Sequence, residues 1–213
     1  MFVDPCPLCA QPGAALMHRD ARRHFLQCAQ CALVFVPAAQ RPDAATEKAR
    51  YDLHQNDPSD SGYRRFLSRL ADVVLKHVPL AAQGLDFGSG PSPVLANILT
   101  AEGRLTATYD PFYVPDADVW SGQYDFITAC EVFEHLHHPA AELDRLFAAL
   151  RPGGLLAVMT AFAPAMPDFA RWHYQSDFTH VCFFSAPVFE YIAQRWRVEI
   201  VYMRENIVLL KAP

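Results

Sequence analysis

Four cysteines near the start constrain this chain more than any other feature. Cys6 and Cys9 form one C-x2-C pair and Cys28 and Cys31 a second, with eighteen residues between the pairs. Each C-x2-C turn brings two thiolates to one point, and two such turns close the four-coordinate shell of a tetrahedral zinc ion. The chain opens Met-Phe-Val-Asp-Pro-Cys, with no basic n-region and no apolar h-region of a secretory leader. The expectation is therefore a cytoplasmic chain with reduced thiols, holding zinc rather than disulfides. Short apolar runs at His24–Gln27 and Leu33–Val36 complete a zinc ribbon over residues 1–40. A module this small buries too little apolar surface to fold alone, so the metal supplies folding energy. A closed four-thiolate shell is structural, not catalytic. Cys130 and Cys182 have no such partners and read as small buried apolar side chains.

Pro37–Pro42 punctuates the end of the ribbon. Ala44–Leu53 is weakly helical and Gln55–Gly62 is a loop by composition. Over Tyr63–Val78 the spacing predicts an amphipathic helix, with Phe66, Leu67, Leu70, Val73, Val74 and Val78 on one face. Arg64, Arg65, Arg69 and Lys76 line its other faces and read as solvated surface. Residues 41–80 thus form a linker and helix. Beyond them strand and helix patterns alternate. Strands are expected at Gly84–Phe87, Leu105–Tyr109, Tyr124–Cys130 and Leu155–Thr160. Helices are expected at Pro93–Ala101, Ala140–Leu150 and Pro187–Trp196, the second stopped by Arg-Pro-Gly-Gly at 151–154. Arg197–Met203 and Asn206–Leu210 read as a closing antiparallel strand pair. Residues 81–213 are therefore predicted to be α/β, a Rossmann-like, mostly parallel sheet with helices on both faces. The long uncharged stretch Pro152–Pro167 is too short for a bilayer and is broken by Pro164 and Pro167, so no membrane is expected.

Leu85-Asp86-Phe87-Gly88-Ser89-Gly90 lies between the first strand of that alternation and its helix. Two glycines there permit a tight turn and close backbone approach to a ligand. The next strand ends in Tyr109-Asp110, where a carboxylate can accept from both hydroxyls of a ribose. With Glu131-Val-Phe-Glu134-His135 after the following strand and Leu150-Arg-Pro-Gly-Gly154 before the next, the order of motifs resembles class I S-adenosylmethionine-dependent methyltransferases. The resemblance covers roughly 84–211. It implies an enzyme in which Asp86 and the backbone of Gly88, Ser89 and Gly90 contact the methionine part of S-adenosylmethionine. It further implies that Asp110 holds the ribose, Phe112 lies against adenine and Glu131 lines the methyl end. Only thirteen residues separate Asp110 from Tyr124, where that family fits a helix, a third strand and another helix. This unit is expected to be lost or shortened, leaving Asp116 or Asp118 as substitutes for the adenine-edge contact.

Three regions are candidates for the acceptor side: Glu134–Pro139, Arg171–Ser185, and the ribbon with Tyr51–Asp60 folded over the pocket. In the first, His137 and His138 are expected to face solvent. In the second, Trp172, Tyr174 and Phe178 are candidate walls, and His173, Asp177 and His180 are candidates to steer or deprotonate an acceptor. Similar W-H-Y…D-x-T-H-V-x-F-F-S segments occur in bacterial proteins that join a ribbon to a methyltransferase. His135 and His173 are the candidate catalytic bases. Charge chooses between acceptor classes. Residues 1–80 carry ten Lys/Arg and eight Asp/Glu, whereas 81–213 carry eight and fifteen, for a chain total of −5. An acidic main part repels polyanions, so a small-molecule acceptor is expected first and RNA second. A third expectation is a non-catalytic zinc-ribbon interaction protein on this fold.

Overall fold

The computed structural model describes residues 4–53 and 56–213. The N-terminal tripeptide and His54-Gln55, where the loop reading at Gln55–Gly62 begins, lie outside the described residues. Two C-x2-C turns flank strands β1 (Ala15–Arg19) and β2 (His24–Gln27), followed by β3 (Val34–Phe35). Helix α1 (Ala44–Tyr51) begins at Asp43, whose carboxylate accepts from the Thr46 N–H. Helix α2 (Ser61–His77) buries Leu67, Leu70, Ala71, Val73 and Val74, close to the predicted face. There follow β4 (Gln83–Phe87), α3 (Val94–Ala101), β5 (Leu105–Tyr109), β6 (Tyr124–Cys130), α4 (Pro139–Ala148) and β7 (Leu150–Met159). The chain ends with β8 (Cys182–Phe183), α5 (Ala186–Trp196), β9 (Glu199–Arg204) and β10 (Ile207–Lys211).

The large sheet runs β5-β4-β6-β7-β10-β9. The first four strands are mutually parallel, and β10 runs antiparallel to both β7 and β9. Alternate residues of β7 explain why both faces need covering. Leu156 and Val158 pack with α4 and α5, while Leu155, Ala157 and Met159 pack with α2 and α3.

Three features differ from the sequence reading. The Arg-Pro-Gly-Gly turn does not precede the strand but lies inside it: β7 starts at Leu150, and its pairing with β6 slips between Tyr124↔Leu150 and Phe126↔Leu155. Gly153, at φ 75°, supplies the left-handed step that this bulge needs. Second, the ribbon sheet is not self-contained. Its order is β1-β2-β3-β8, so a strand from the C-terminal half completes it, and one apolar cluster runs from Leu8 and Phe35 to Phe183 and Phe189. Strand β1 and the two-residue β8 carry too weak an apolar pattern to be read in advance. Third, the segment read as a loop from Arg171 contains a short 3-10 turn at His173–Ser176 and follows another at Asp168–Arg171.

The missing third-strand unit is borne out. Between Asp110 and Tyr124 there is a bridge, Asp110↔Val114, and a 3-10 turn over Ala117–Ser121. Strand β5 is therefore the sheet edge. Trp120 packs beside it, with ring centroids 4.9 Å from Tyr109 and 6.0 Å from Phe87. Among the described residues, no helix is long and apolar enough to cross a membrane.

Candidate active site

A cavity of about 620 Å³ opens at the C-terminal ends of β4, β5 and β6. The chain leaves β4 toward β5 on one side and returns to β6 on the other, so the strand ends diverge here, where open α/β sheets bind ligands. Tyr51 of α1 and Tyr63 and Phe66 of α2 form the opposite wall.

The loop after β4 is shaped by two left-handed glycines, Gly88 at φ 76° and Gly90 at φ 65°. A Cβ on Gly88 would sit 2.4 Å from Val132 Cγ2, so only glycine fits. Gly88 N–H and Ser89 N–H donate to the Tyr109 carbonyl at 2.8 and 3.1 Å, tying the loop to the end of β5. Gly90 N–H donates to Asp110 Oδ2 at 2.9 Å, and Asp110 Oδ1 accepts from Phe112 N–H at 2.8 Å and Tyr113 N–H at 3.2 Å. Three backbone donors thus fix a buried carboxylate at the cavity wall, with lone pairs to spare.

At the end of β6, Glu131 has φ 54°, unusual for a residue with a side chain. Its N–H still bonds to the Met159 carbonyl at 2.8 Å, and the left-handed step redirects the chain into Val132–His135 along the cavity. Glu134 is fully buried. Thr160 donates to its Oε2 at 2.9 Å. Tyr174 Oη lies 2.5 Å from Glu134 Oε1 and 3.0 Å from Glu131 Oε2, and its one proton serves a single carboxylate at a time. Burial pushes both carboxyls up, and the charge of Glu134 raises Glu131 further.

His135 and His180 line the same end, with ring centroids 4.7 Å apart. His135 Nδ1 bonds to the Thr179 carbonyl at 3.0 Å and His180 Nδ1 to the Tyr174 carbonyl at 2.7 Å. Burial holds both imidazoles below their ordinary range, His180 at about 3.

The four ribbon cysteines converge. Cys6 Sγ is 3.5 Å from Cys31 Sγ, Cys9 Sγ is 3.4 Å from Cys28 Sγ, and all four sulfurs lie within 4.8 Å of one another. The two turns repeat one another. Cys6 and Cys28 accept from the N–H four residues on, at Ala10 and Ala32, which sit at φ 62° and 61°. Each also donates its own N–H to the carbonyl five residues on, at Gln11 and Leu33.

The structure therefore gathers Gly88, Ser89, Gly90, Asp110, Phe112, Glu131 and His135 around one cavity. Asp86 is not in its wall. Its buried carboxylate accepts from Thr128 Oγ1 at 2.7 Å and from the Ala96 N–H, joining β4 to β6 and α3. His173 is exposed, on a shallow depression with Arg50, Ser176 and Phe178. His137 does not face solvent as expected. It is half-buried, with Nε2 2.8 Å from Glu47 Oε1. Asp116 and Asp118 are exposed and absent from the cavity lining. Trp172 stacks on Tyr174 at 4.9 Å behind the site. Cys182 is buried, with its thiol donating to the Leu136 carbonyl at 3.2 Å, and Cys130 borders the cavity. From the third candidate region Tyr51 and Asn56 reach the cavity, and no described lining residue comes from 4–40. Sequence reasoning missed Arg145, whose guanidinium lies 3.8 Å over the Trp120 ring at the cavity edge. A single arginine on a solvated-looking helix carries no local signal.

Residues 54–196 match the family model described as a methyltransferase domain. No curated protein matches the chain. Among solved structures, the 1,6-didemethyltoxoflavin-N1-methyltransferase of Burkholderia thailandensis, bound to 1,6-didemethyltoxoflavin and S-adenosylhomocysteine, superposes with a TM-score of 0.56. The two share 14% identity over 93% of this chain and 98% of that one. The magnesium protoporphyrin IX methyltransferase of Synechocystis PCC 6803, bound to S-adenosylhomocysteine, gives 0.53 at 14% identity over 80% and 95% of the two chains. At these identities the likeness is one of fold.

Proposed function

The chain belongs to the methyltransferase-domain family, and from that premise we propose that it transfers a methyl group from S-adenosylmethionine to a small molecule. The observation that carries this reading is the Gly90 N–H bond to Asp110 Oδ2, which fixes the glycine loop and the carboxylate on one wall of one cavity. The open backbone of Gly88–Gly90 suits the methionine part of the cofactor, Asp110 the ribose, Phe112 the adenine and Glu131 the methyl end. Asp86 supports the loop from beneath by holding β4 to Thr128. The bound cofactor supplies a methyl group already activated as a sulfonium, so the protein's task is alignment, worth up to ~7–11 kcal/mol when ideal.

The acceptor end is formed by Glu134, His135 and His180, whose free lone pairs, on the carboxylate and on Nε2 of each ring, can bind or orient an acceptor. His173, exposed and outside the cavity, gives way to His180. The cavity volume falls in the ~300–1,000 Å³ range of small-molecule sites. Its acidic lining, with Glu47, Asp110 and Glu142 against Arg145 alone, opposes a phosphate backbone. That supports a small acceptor over RNA, and the intact cavity supports an enzyme over an interaction module.

The thiolate cluster is read as structural zinc. Sulfurs ~2.3 Å from a tetrahedral ion stand roughly 3.8 Å apart, and the pairs at 3.4 and 3.5 Å need little adjustment. A thiolate zinc site suits a reducing compartment, which supports reading the protein as cytoplasmic. Ribbon 1–40, linker and helix 41–80 and methyltransferase part 81–213 are divisions of task, since the small sheet crosses the first and last.

The test is transfer of a labelled methyl group to cell extract separated into metabolites, protein and RNA. Label in the metabolite fraction is expected. Label confined to RNA overturns the choice of acceptor, and no label in any fraction overturns transfer.

A further inference from the structure

Glu134, His135 and His180 each offer one ligand atom, and those atoms lie within 4.8 Å of one another. They come from separate segments, the end of β6 and the turn before β8, and all three border the cavity. Their outward atoms are already committed. A carbonyl only accepts, so the Nδ1 atoms bonded to Thr179 and Tyr174 carry the protons, and Nε2 of each ring is the nitrogen left for a ligand. Metal-bound imidazoles are held in this way, the far nitrogen donating to a carbonyl that fixes ring and tautomer. Glu134 is held likewise by the hydroxyls of Thr160 and Tyr174.

Two imidazoles and one carboxylate are the donor set of open, reactive metal sites with positions left for another ligand. His135 Nε2 stands 3.9 Å from Glu134 Oε1. A cation ~2.1 Å from each would bring this pair to roughly 3.0–3.4 Å, a closure of less than about 1 Å, and the other two pairs, within 4.8 Å, close by at most about 1.8 Å. Among the described residues no Lys or Arg forms an ion pair with Glu131 or Glu134, so a bound cation would meet no competing ion pair here. The sulfonium of the methyl donor takes no lone pair from an imidazole, so it leaves both Nε2 atoms without a partner.

We propose that Glu134, His135 and His180 bind a divalent transition-metal cation at the acceptor end of the cavity. Resting on the methyltransferase reading, the proposal also narrows the acceptor: the cation's open positions take a hydroxyl or carbonyl oxygen of the small molecule to be methylated. This site is separate from the ribbon, which uses thiolates alone.

The test is Co2+ binding to the full-length protein after dialysis against a mild chelator that leaves the thiolate zinc in place. Metal per chain and the visible spectrum are read together. One Co2+ beyond the ribbon's zinc is expected, with weak ligand-field bands and no thiolate charge-transfer band. His180→Asn and His135→Asn keep a donor near each carbonyl but remove Nε2. Each should weaken Co2+ roughly 10- to 100-fold or more, with melting within a few degrees of the parent. No cobalt beyond the ribbon, a thiolate spectrum, or parental affinity in both variants overturns the proposal. Calorimetry with S-adenosylmethionine on the same samples separates the two claims. Cofactor binding without cobalt removes the cation site alone, and cobalt binding without cofactor removes the methyltransferase reading alone.

Discussion

Arg23, in the turn between β1 and β2, donates from Nη1 to the carbonyl oxygen of His180 at 3.0 Å. The same guanidinium donates to the Asp177 carbonyl at 3.1 Å and to the Gln175 carbonyl. Beside it, Val36 N–H donates to the Val181 carbonyl at 2.9 Å and Val181 N–H to the Glu134 carbonyl at 2.8 Å. A continuous set of bonds thus runs from the ribbon through the His180 segment to Glu134. No described residue of the ribbon lines the cavity, yet the ribbon is bonded to one cavity wall.

Arg23→Met removes three bonds to carbonyls from a side chain that is nearly fully buried. Leaving those oxygens without a donor should cost about 2–4 kcal/mol of stability. Methyl transfer should fall more than S-adenosylmethionine affinity, because Asp110 and the glycine loop do not touch Arg23. Denaturant melts, cofactor calorimetry and turnover on one set of samples check this. Equal losses of binding and turnover would contradict it.

Removal of the proposed zinc should act on the same wall. A strong chelator, or Cys28→Ser, should loosen β1–β3 and with them β8, which pairs with β3 at Val34↔Phe183 and Phe35↔Cys182. Hydrogen exchange should rise in 24–36 and 175–184 while β4–β6 stay protected. Exchange confined to the cysteine turns would show that the ribbon does not support the site.

The glycine loop makes an ordered prediction. Gly88→Ala adds a left-handed penalty of ~1–2 kcal/mol and a clash with Val132 of roughly 1–3 kcal/mol. Gly90→Ala meets only Asn56 Nδ2 at 3.5 Å and incurs the first penalty alone. Gly88→Ala should therefore melt lower than Gly90→Ala. The reverse order would mean the loop is not packed on Val132.

Asp86 gives the stability a pH dependence. Burial pushes its carboxyl from 3.8 up to about 7, opposed by the Thr128 hydroxyl and Ala96 N–H. The fold retains a proton that the unfolded chain releases near pH 4, so this group's contribution falls as pH rises from about 4 to about 7. Asp86→Asn removes that loss. Its melting temperature should gain on the parent from pH 5 to pH 8, and a difference that stays flat with pH would count against the assignment.

Much of this was legible because it is periodic or stereochemical. The face of α2, the β5 and β6 spans, the cysteine spacing and the Gly88–Gly90 turn all follow from local residue pattern. The thirteen-residue gap after Asp110 correctly signalled the missing strand, because no helix–strand–helix unit fits that length. What escaped was non-local. Sequence favoured His173 over His180 from the same segment. The choice depends on Arg23, 157 positions away, and on the Tyr174 carbonyl that orients the His180 ring. His137 looked solvent-facing until α1 placed Glu47 against it. The Arg-Pro-Gly-Gly turn looked like a helix stop, but the bulge it forms is defined only by pairing with β6.

The central claim is that the wall carrying Gly88–Gly90 and Asp110 binds S-adenosylmethionine, and titration calorimetry of the full-length protein tests it most directly. One cofactor per chain is expected, weakened about 10- to 100-fold in Asp110→Asn, where an amide donor faces the Gly90 N–H and the ribose loses an acceptor. Absence of binding in the parent, or equal affinity in Asp110→Asn, would contradict the account.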